Sequence, residues 1–262
     1  MLTNFAIQAS STYRGLFLWL APSAYLPQVL LRPALMVVLF ALAGRYAADE
    51  AAAQHLAVGR IAYSIYWVHI ASLTQSFYFE RIGGTAPLLF ASSANRAVNF
   101  LARGLPHYAN GPLVAASALV GAWLVTPFDA VAVGWPAVVV TVLVLSAASV
   151  GFGLCAGAIA FAVRSYQSAY QAIAGLVLAL TGSVIPVDAL PGPLAVLATA
   201  LPLTHGVGAL RAAFEGAPLP DIAPLLAAEL AIGVAYGLAG YALFRWVEAA
   251  ARRSGTLDRA AA

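Results

Sequence analysis

The chain has 262 residues, of which 62% are hydrophobic and only 9% are charged. A soluble domain carries about a quarter charged residues, so the composition excludes a soluble globular fold and indicates a polytopic membrane protein. Every basic residue is an arginine, and these arginines separate apolar segments. The net charge of +3 therefore gives no support for a nucleic-acid-binding surface.

The single cysteine and the first residues exclude further features. Cys155 has no second cysteine to pair with, which excludes an intramolecular disulfide and a cysteine zinc cluster, and we expect no metal site. Residues 1–13 lack a basic stretch followed by an apolar core. We therefore expect no removable signal peptide, and we expect the first spans to direct insertion.

The N-terminal segment, residues 1–26, is predicted to lie on the membrane rather than across it. Its aromatic and apolar residues stand next to Arg14 and are interrupted by Pro22, and Pro27 follows directly. This pattern is typical of an amphipathic helix at the inner leaflet.

Six apolar runs approach the roughly 20 residues needed to cross a bilayer. They are residues 27–46, 61–79, 108–125, 132–163, 172–186 and 222–246. The sequence thus predicts an all-α membrane protein with six transmembrane helices and both termini on one side. Loops rich in arginine stay in the cytoplasm, so we expect cytoplasmic termini, a cytoplasmic tail at 247–262, and only Arg45, Arg60 and Arg211 outside.

Two irregular segments interrupt this pattern. Residues 79–96 form a polar insert with glycine and proline, which hydrocarbon cannot accommodate, so the insert must lie at or outside the membrane surface. Residues 186–211 are punctuated by prolines yet remain apolar. They form either a re-entrant hairpin in the outer leaflet or an external loop with two surface helices.

The order of these features resembles the ABC-2 type transporter permeases, specifically their drug and natural-product exporter branch. The resemblance covers residues 13–246 and depends on ordered spacing rather than on one diagnostic motif. Its elements are the N-terminal segment, the six spans, the run F-E-R-I-G-G-T at 79–85, the run G-S-V-I-P at 182–186, and the run L-P-L-T at 201–204.

The resemblance implies that residues 80–96 include a coupling helix seated in a groove of a separate ATPase subunit. The residues assigned to this contact are Glu80, Arg81, Gly84, Thr85, Leu88 and Leu89. Gly84 permits the reversal of the chain, and Thr85 can cap the helix that follows. The alternative is a solvated turn whose charges only anchor the span. Ala86-Pro87 departs from the family pattern, which leaves the exact contacts open.

The resemblance also implies that residues 186–211 cap the translocation path on the outer side. The residues assigned to this gate are Pro186, Leu190, Pro191, Pro202 and Arg211. Aromatic residues of the second span are candidates for lining the path, although they equally suit an interfacial belt. They are Tyr63, Tyr66, Trp67 and Phe77.

The chain cannot hydrolyse ATP alone, because a phosphate-binding Walker loop requires a lysine. We expect no cofactor in this chain and ATP with magnesium bound by a partner ATPase. The expected assembly is a permease dimer, of identical chains or paralogues, in a bacterial inner membrane with lipid around it. Gly153, Gly157, Gly233 and Gly237 have the small-residue spacing of close helix contacts, and packing within one chain is favoured over a dimer seam.

The expected function is ATP-driven export of a hydrophobic or amphipathic molecule by alternating access. Export of a polysaccharide or glycolipid is an alternative. An ion-coupled secondary transporter would need intramembrane ionisable groups, for which His69, His205 and Glu229 are the candidates, with Glu229 interpreted as interfacial. A membrane protease would pair Ser72 or Ser183 with a histidine, but no nucleophile-elbow motif supports it.

Overall fold

The computed structural model describes residues 26–83, 95–163 and 166–254, together with Ser23. Regular structure in these ranges is helical, as expected where hydrocarbon offers the backbone no hydrogen-bond partners. The α-helices are α1 Arg32–Ala47, α2 Glu50–Ile82, α3 Arg96–Tyr108, α4 Asn110–Val125, α5 Trp135–Ala162, α6 Tyr166–Leu180, α7 Gly192–Ala200, α8 Thr204–Phe214 and α9 Leu219–Ser254. A π-helical segment, Pro27–Leu31, leads into α1, and a short 3-10 helix, Val187–Ala189, precedes α7.

Five stretches of the described residues are long and apolar enough to cross a membrane. They are Pro27–Ala47, Glu50–Arg81, Arg96–Val125, Trp135–Phe161 and Leu219–Ala250. Helices α7 and α8 meet the same test only as a pair, and they are bent by 87° relative to each other. The predicted all-α polytopic class is confirmed, and a count of six is reached when this bent pair is one span.

The predicted start of the second span was wrong by about three helical turns. Helix α2 begins at Glu50, because the Asp49 side chain accepts a hydrogen bond from the backbone N–H of Ala52 at 2.8 Å. This is an N-cap, and the alanine-rich turns that follow have high helix propensity. Arg60, predicted to be an outer arginine at the edge of the span, lies inside the helix instead.

The predicted fifth span, residues 172–186, was also misplaced. Helix α6 ends at Leu180 and has 15 residues, which is about 22 Å of helix against a hydrocarbon core of about 30 Å. Gly182 follows with a φ of 79°, a left-handed conformation that ends the helix before Pro186.

Two other boundaries differ from the prediction. The third span begins at Arg96 rather than residue 108, because Asn95 caps α3 by accepting from Ala97 N and Val98 N. Helix α9 continues to Ser254, so the first part of the predicted tail is helical.

Helix α5 lies at the centre of the bundle, between α2 and α9. Glycines allow these backbones to approach closely: a Cβ at Gly151 would lie 2.1 Å from the carbonyl oxygen of Gly233 in α9. On the other side of α5, Gly153 and Gly157 pack against Leu73 and Phe77 of α2. Gly153, Gly157 and Gly233 thus pack against neighbouring helices of the same chain, as the sequence predicted.

Candidate functional site

A cavity of about 310 Å³ lies between α1, α2 and α6, a size within the range of small-molecule sites. Its most notable wall residues are two arginines and three aromatic residues. They are Arg32, Arg60, Phe40, Tyr63 and Trp67. Arg60, Tyr63 and Trp67 recur at intervals of three and four along α2, which places them on one face of the helix.

Arg60 is the buried cation of this cavity. Its exposure is 7%, and its Cζ lies 4.5 Å from the ring centroid of Phe40 and 4.7 Å from that of Tyr63. Its Nε has no hydrogen-bond partner among the described residues. A guanidinium over aromatic faces is stabilised through its charge, so these contacts leave the in-plane N–H donors to other partners.

Arg32 is the second, more exposed cation of the cavity. Its Cζ lies 3.4 Å from the ring centroid of Trp67. The hydroxyl of Tyr63 donates to the carbonyl oxygen of Ala174 at 3.0 Å and so joins α2 to α6. The cavity therefore has cationic and aromatic walls held by packed helices.

The four aromatic residues predicted to line a path separate into two pairs. Tyr63 and Trp67 are on the cavity wall. Tyr66 packs against Phe152, and Phe77 packs against Phe100 and Phe244; both Tyr66 and Phe77 are fully buried. A path-lining role stays a prediction for the first pair, whereas packed core surrounds the second.

At the other end of α2, two ion pairs join three helices, α2, α3 and α9. Arg103 of α3 donates to Glu80 of α2, with Nη2 and Oε2 2.6 Å apart and Nε and Oε1 3.1 Å apart. Arg96 at the start of α3 donates to Glu248 of α9 at 3.1 Å. The Arg103 guanidinium also lies over Phe77, 4.6 Å from the ring centroid. We call Glu80, Arg96, Arg103 and Glu248 the ion-pair cluster.

The residues predicted to contact an ATPase have partners inside this chain wherever the structure describes them. Glu80 pairs with Arg103, and Arg81 donates to the carbonyl oxygens of Phe161 and Val163 at 3.2 and 2.6 Å. The remaining four residues assigned to this contact lie outside the described residues: Gly84, Thr85, Leu88 and Leu89. Their contact with an ATPase stays a prediction.

The residues predicted to form an outer gate do not converge on one point. Pro186 and Pro191 are exposed, Pro202 is buried at the bend between α7 and α8, and Leu190 packs against a small apolar cluster near Leu180. Arg211 donates to the Gly182 carbonyl oxygen at 2.7 Å and to His55 Nε2 at 2.9 Å. It joins α8 to α2 and to the loop after α6.

A buried carboxylate holds the bend between α7 and α8. Glu229 of α9 is fully buried and accepts from the backbone N–H groups of Leu203 at 2.7 Å and Gly206 at 2.9 Å. Leu203 has a φ of 87°, and Glu229 binds the positive N-terminal end of α8. Glu229 therefore has a structural role at the start of α8, and its position relative to the membrane interface stays a prediction.

Among the other polar candidates, His69 and Ser183 are fully buried, whereas Ser72 and His205 are half-buried, with His205 Nε2 3.1 Å from the carbonyl oxygen of Thr199. His69 donates through Nδ1 to the carbonyl oxygen of Ile65 at 2.6 Å, and His107 is fully buried as well. Ser72 bonds to the backbone carbonyl of His69, and Ser183 bonds to the Thr181 hydroxyl. Neither serine has a bond to a histidine ring among the described contacts, so a serine protease dyad finds no support there.

Sequence reasoning missed Arg60, Arg103 and the cap by Glu229. Arg60 was counted as an outer arginine, although its spacing to Tyr63 and Trp67 was a usable signal of one wall. Arg103 was counted as a cytoplasmic loop charge. Its burial depends on Glu80, which is far away in sequence.

A comparison with protein families matches residues 8–214 to the ABC-2 type transporter family. The chain belongs to this family, and it is the membrane subunit of an ABC transport system. No curated protein matches the chain.

Proposed function

We propose that this chain is the permease subunit of an ATP-driven exporter of hydrophobic or amphipathic molecules. Two permease chains, identical or paralogous, enclose the path, and separate ATPase subunits bind ATP and magnesium. Closure of the ATPases pushes on residues 84–94, and the permease dimer alternates between inward and outward access.

The observation that carries this proposal is the ion-pair cluster on both sides of residues 84–94. Glu80 precedes this segment by four residues and pairs with Arg103 of α3, while Arg96 follows it by two and pairs with Glu248 of α9. A displacement of the segment would be passed to α2, α3 and α9 together, because buried ion pairs resist separation. Flanking residues that are ion-paired to neighbouring helices in this way support a coupling role for the segment between them.

The cavity supports the substrate side of the proposal. Its aromatic walls, contributed by α1 and α2, suit an apolar body. It is small for a polysaccharide chain, which favours a compact amphipathic molecule.

Affinity purification of the tagged chain from its native membrane in mild detergent tests the proposal. We expect a stoichiometric companion with a Walker loop, and ATP-dependent efflux when the complex is placed in liposomes. Leu88→Asp with Leu89→Asp should abolish the capture of the companion. Pro218→Asp, at an exposed position at the opposite end of the bundle, should leave the capture unchanged. Recovery of the chain alone across several detergents would contradict the proposal.

A further inference from the structure

The cavity between α1, α2 and α6 contains two arginines whose charge no carboxylate of the described residues neutralises. The chain has 10 acidic residues, and all except Asp258 lie in the described part. The salt bridges found there involve Arg45, Arg96, Arg103 and Arg245. Neither Arg32 nor Arg60 forms one, although both line the same cavity.

The position of Arg60 deep within α2 makes its lack of a carboxylate partner among the described residues unusual. It lies ten residues into α2, about 15 Å along the helix axis from Glu50. An ionisable side chain within a membrane span is costly and marks a substrate or ion pathway more often than a packing role. A second arginine on the same cavity adds repulsion between like charges.

The geometry leaves donors available for an anion. Arg60 is stabilised through ring faces, and its buried Nε has no partner among the described residues. A guanidinium binds a carboxylate or phosphate through two parallel N–H donors, which is the strongest neutral-pH contact that the side chain offers. The rings of Phe40 and Tyr63 lie beside this guanidinium, and Trp67 lines the same cavity, so the walls suit an apolar body.

We infer that the cavity binds an anionic amphiphile, a molecule with one carboxylate or phosphate group on an apolar body, with Arg60 as the deep anion ligand and Arg32 as the outer one. This inference rests on the proposed function and names the class of its substrate. The same chemistry occurs in an exported small molecule and in an anionic membrane lipid.

Quenching of Trp67 fluorescence tests the inference on the full chain in a nonionic detergent. The probe is undecanoate with bromine on its last carbon, since bromine quenches an indole that it contacts, and the matched neutral probe is the corresponding bromoundecanol. We expect the anionic probe to quench with at least tenfold higher affinity than the alcohol. Trp67→Phe should remove this quenching and so assign it to the cavity.

Three variants test whether the affinity for the bromo-acid depends on the charges of the cavity arginines. Arg60→Gln should lower the affinity for the bromo-acid at least tenfold and leave the affinity for the alcohol unchanged, and Arg32→Gln should lower it less. Arg45→Gln alters an exposed, ion-paired arginine outside the cavity. It should change neither the affinity for the bromo-acid nor that for the alcohol. Equal affinity of acid and alcohol, or an unchanged acid affinity in a folded Arg60→Gln protein, would overturn the inference.

A competition experiment distinguishes an anionic membrane lipid from an exported small molecule as the occupant of the cavity. Displacement of the bromo-acid by phosphatidylglycerol in mixed micelles would assign the site to a lipid, and binding that persists would assign it to a soluble amphiphile. Displacement by the same concentration of inorganic phosphate would overturn the requirement for an apolar body. The quenching experiment needs no ATPase, so its outcome is independent of the affinity purification. If an ATPase is captured but the bromo-acid does not quench Trp67, only the inference about the cavity is rejected. If no ATPase is captured, the proposed function is rejected.

Discussion

Arginines occupy two regions of this molecule in opposite ways. In the ion-pair cluster, Arg103 is 1% exposed and bonds to both carboxylate oxygens of Glu80. In the cavity, Arg60 is nearly as buried but has ring faces in place of a carboxylate. The first arrangement holds helices together. The second retains a cation whose donors can bind something that is not part of the chain.

The largest expected effect comes from breaking the buried pair. Arg103→Met would remove the buried guanidinium that donates to both carboxylate oxygens of Glu80, and removing one partner of a buried pair costs about 3 kcal/mol or more. We expect a clear fall in the melting temperature of the purified protein in detergent, measured by intrinsic fluorescence.

Arg245→Met is the matched control for this prediction. Arg245 is 51% exposed and lies 3.8 Å from Glu248, so its loss should shift the melting temperature much less, since exposed pairs contribute little. Equal shifts in the two variants would show that the Glu80–Arg103 pair is not a stabilising contact.

A third buried charge extends the comparison, because Glu229 is neutralised by a helix end rather than by an arginine. Glu229→Ala would remove both hydrogen bonds to the start of α8, and an N-cap loss costs about 1–2 kcal/mol. We expect a fall in melting temperature smaller than that of Arg103→Met, together with faster proteolysis in residues 201–206. Glu229→Gln keeps one acceptor oxygen, so its melting temperature should lie between those of the wild type and Glu229→Ala.

The sequence predicted the general fold and a part of the site. Apolar runs predicted the all-α membrane class because hydrocarbon allows few alternatives to helices. The start of α2 was missed because residues 51–57 combine alanines with Gln54 and His55 and have weak hydropathy, while the cap by Asp49 depends on backbone geometry. The end of α6 depends on a left-handed Gly182, a conformation that the sequence permits but does not require.

The site was predicted less well than the fold, because its charges are paired across long sequence distances. Glu80 and Arg103 lie on different helices, and the residues between them gave no sign of their contact. Arg60 was visible as a charge beside a span, but its position inside α2 became apparent only from the start of that helix at Glu50, ten residues before Arg60.

Backbone contact, rather than charge, fixes the loop after α6 against α2, one residue before Arg60. A Cβ at Gly59 would lie 1.9 Å from the carbonyl oxygen of Ser183, and overpacking of this kind costs about 1–3 kcal/mol. We expect Gly59→Ala to lower the melting temperature and weaken bromo-acid binding together. Gly192→Ala has open space around its Cβ and should change neither, and similar behaviour of the two variants would contradict the packing argument.

The smallest effect on stability is expected from Arg60→Met, and it is the sharpest test of the difference between the two regions. Losing the contacts with Phe40 and Tyr63 costs about 1 kcal/mol, whereas removing a buried cation that has no carboxylate partner among the described residues relieves a desolvation penalty. These terms oppose each other, so the melting temperature without ligand should stay close to that of the wild type or rise. With the bromo-acid present, binding should raise the wild-type melting temperature by mass action, and the variant should gain much less at the same bromo-acid concentration. A fall as large as that of Arg103→Met would mean that Arg60 holds the fold, and the two regions would then use their arginines in the same way.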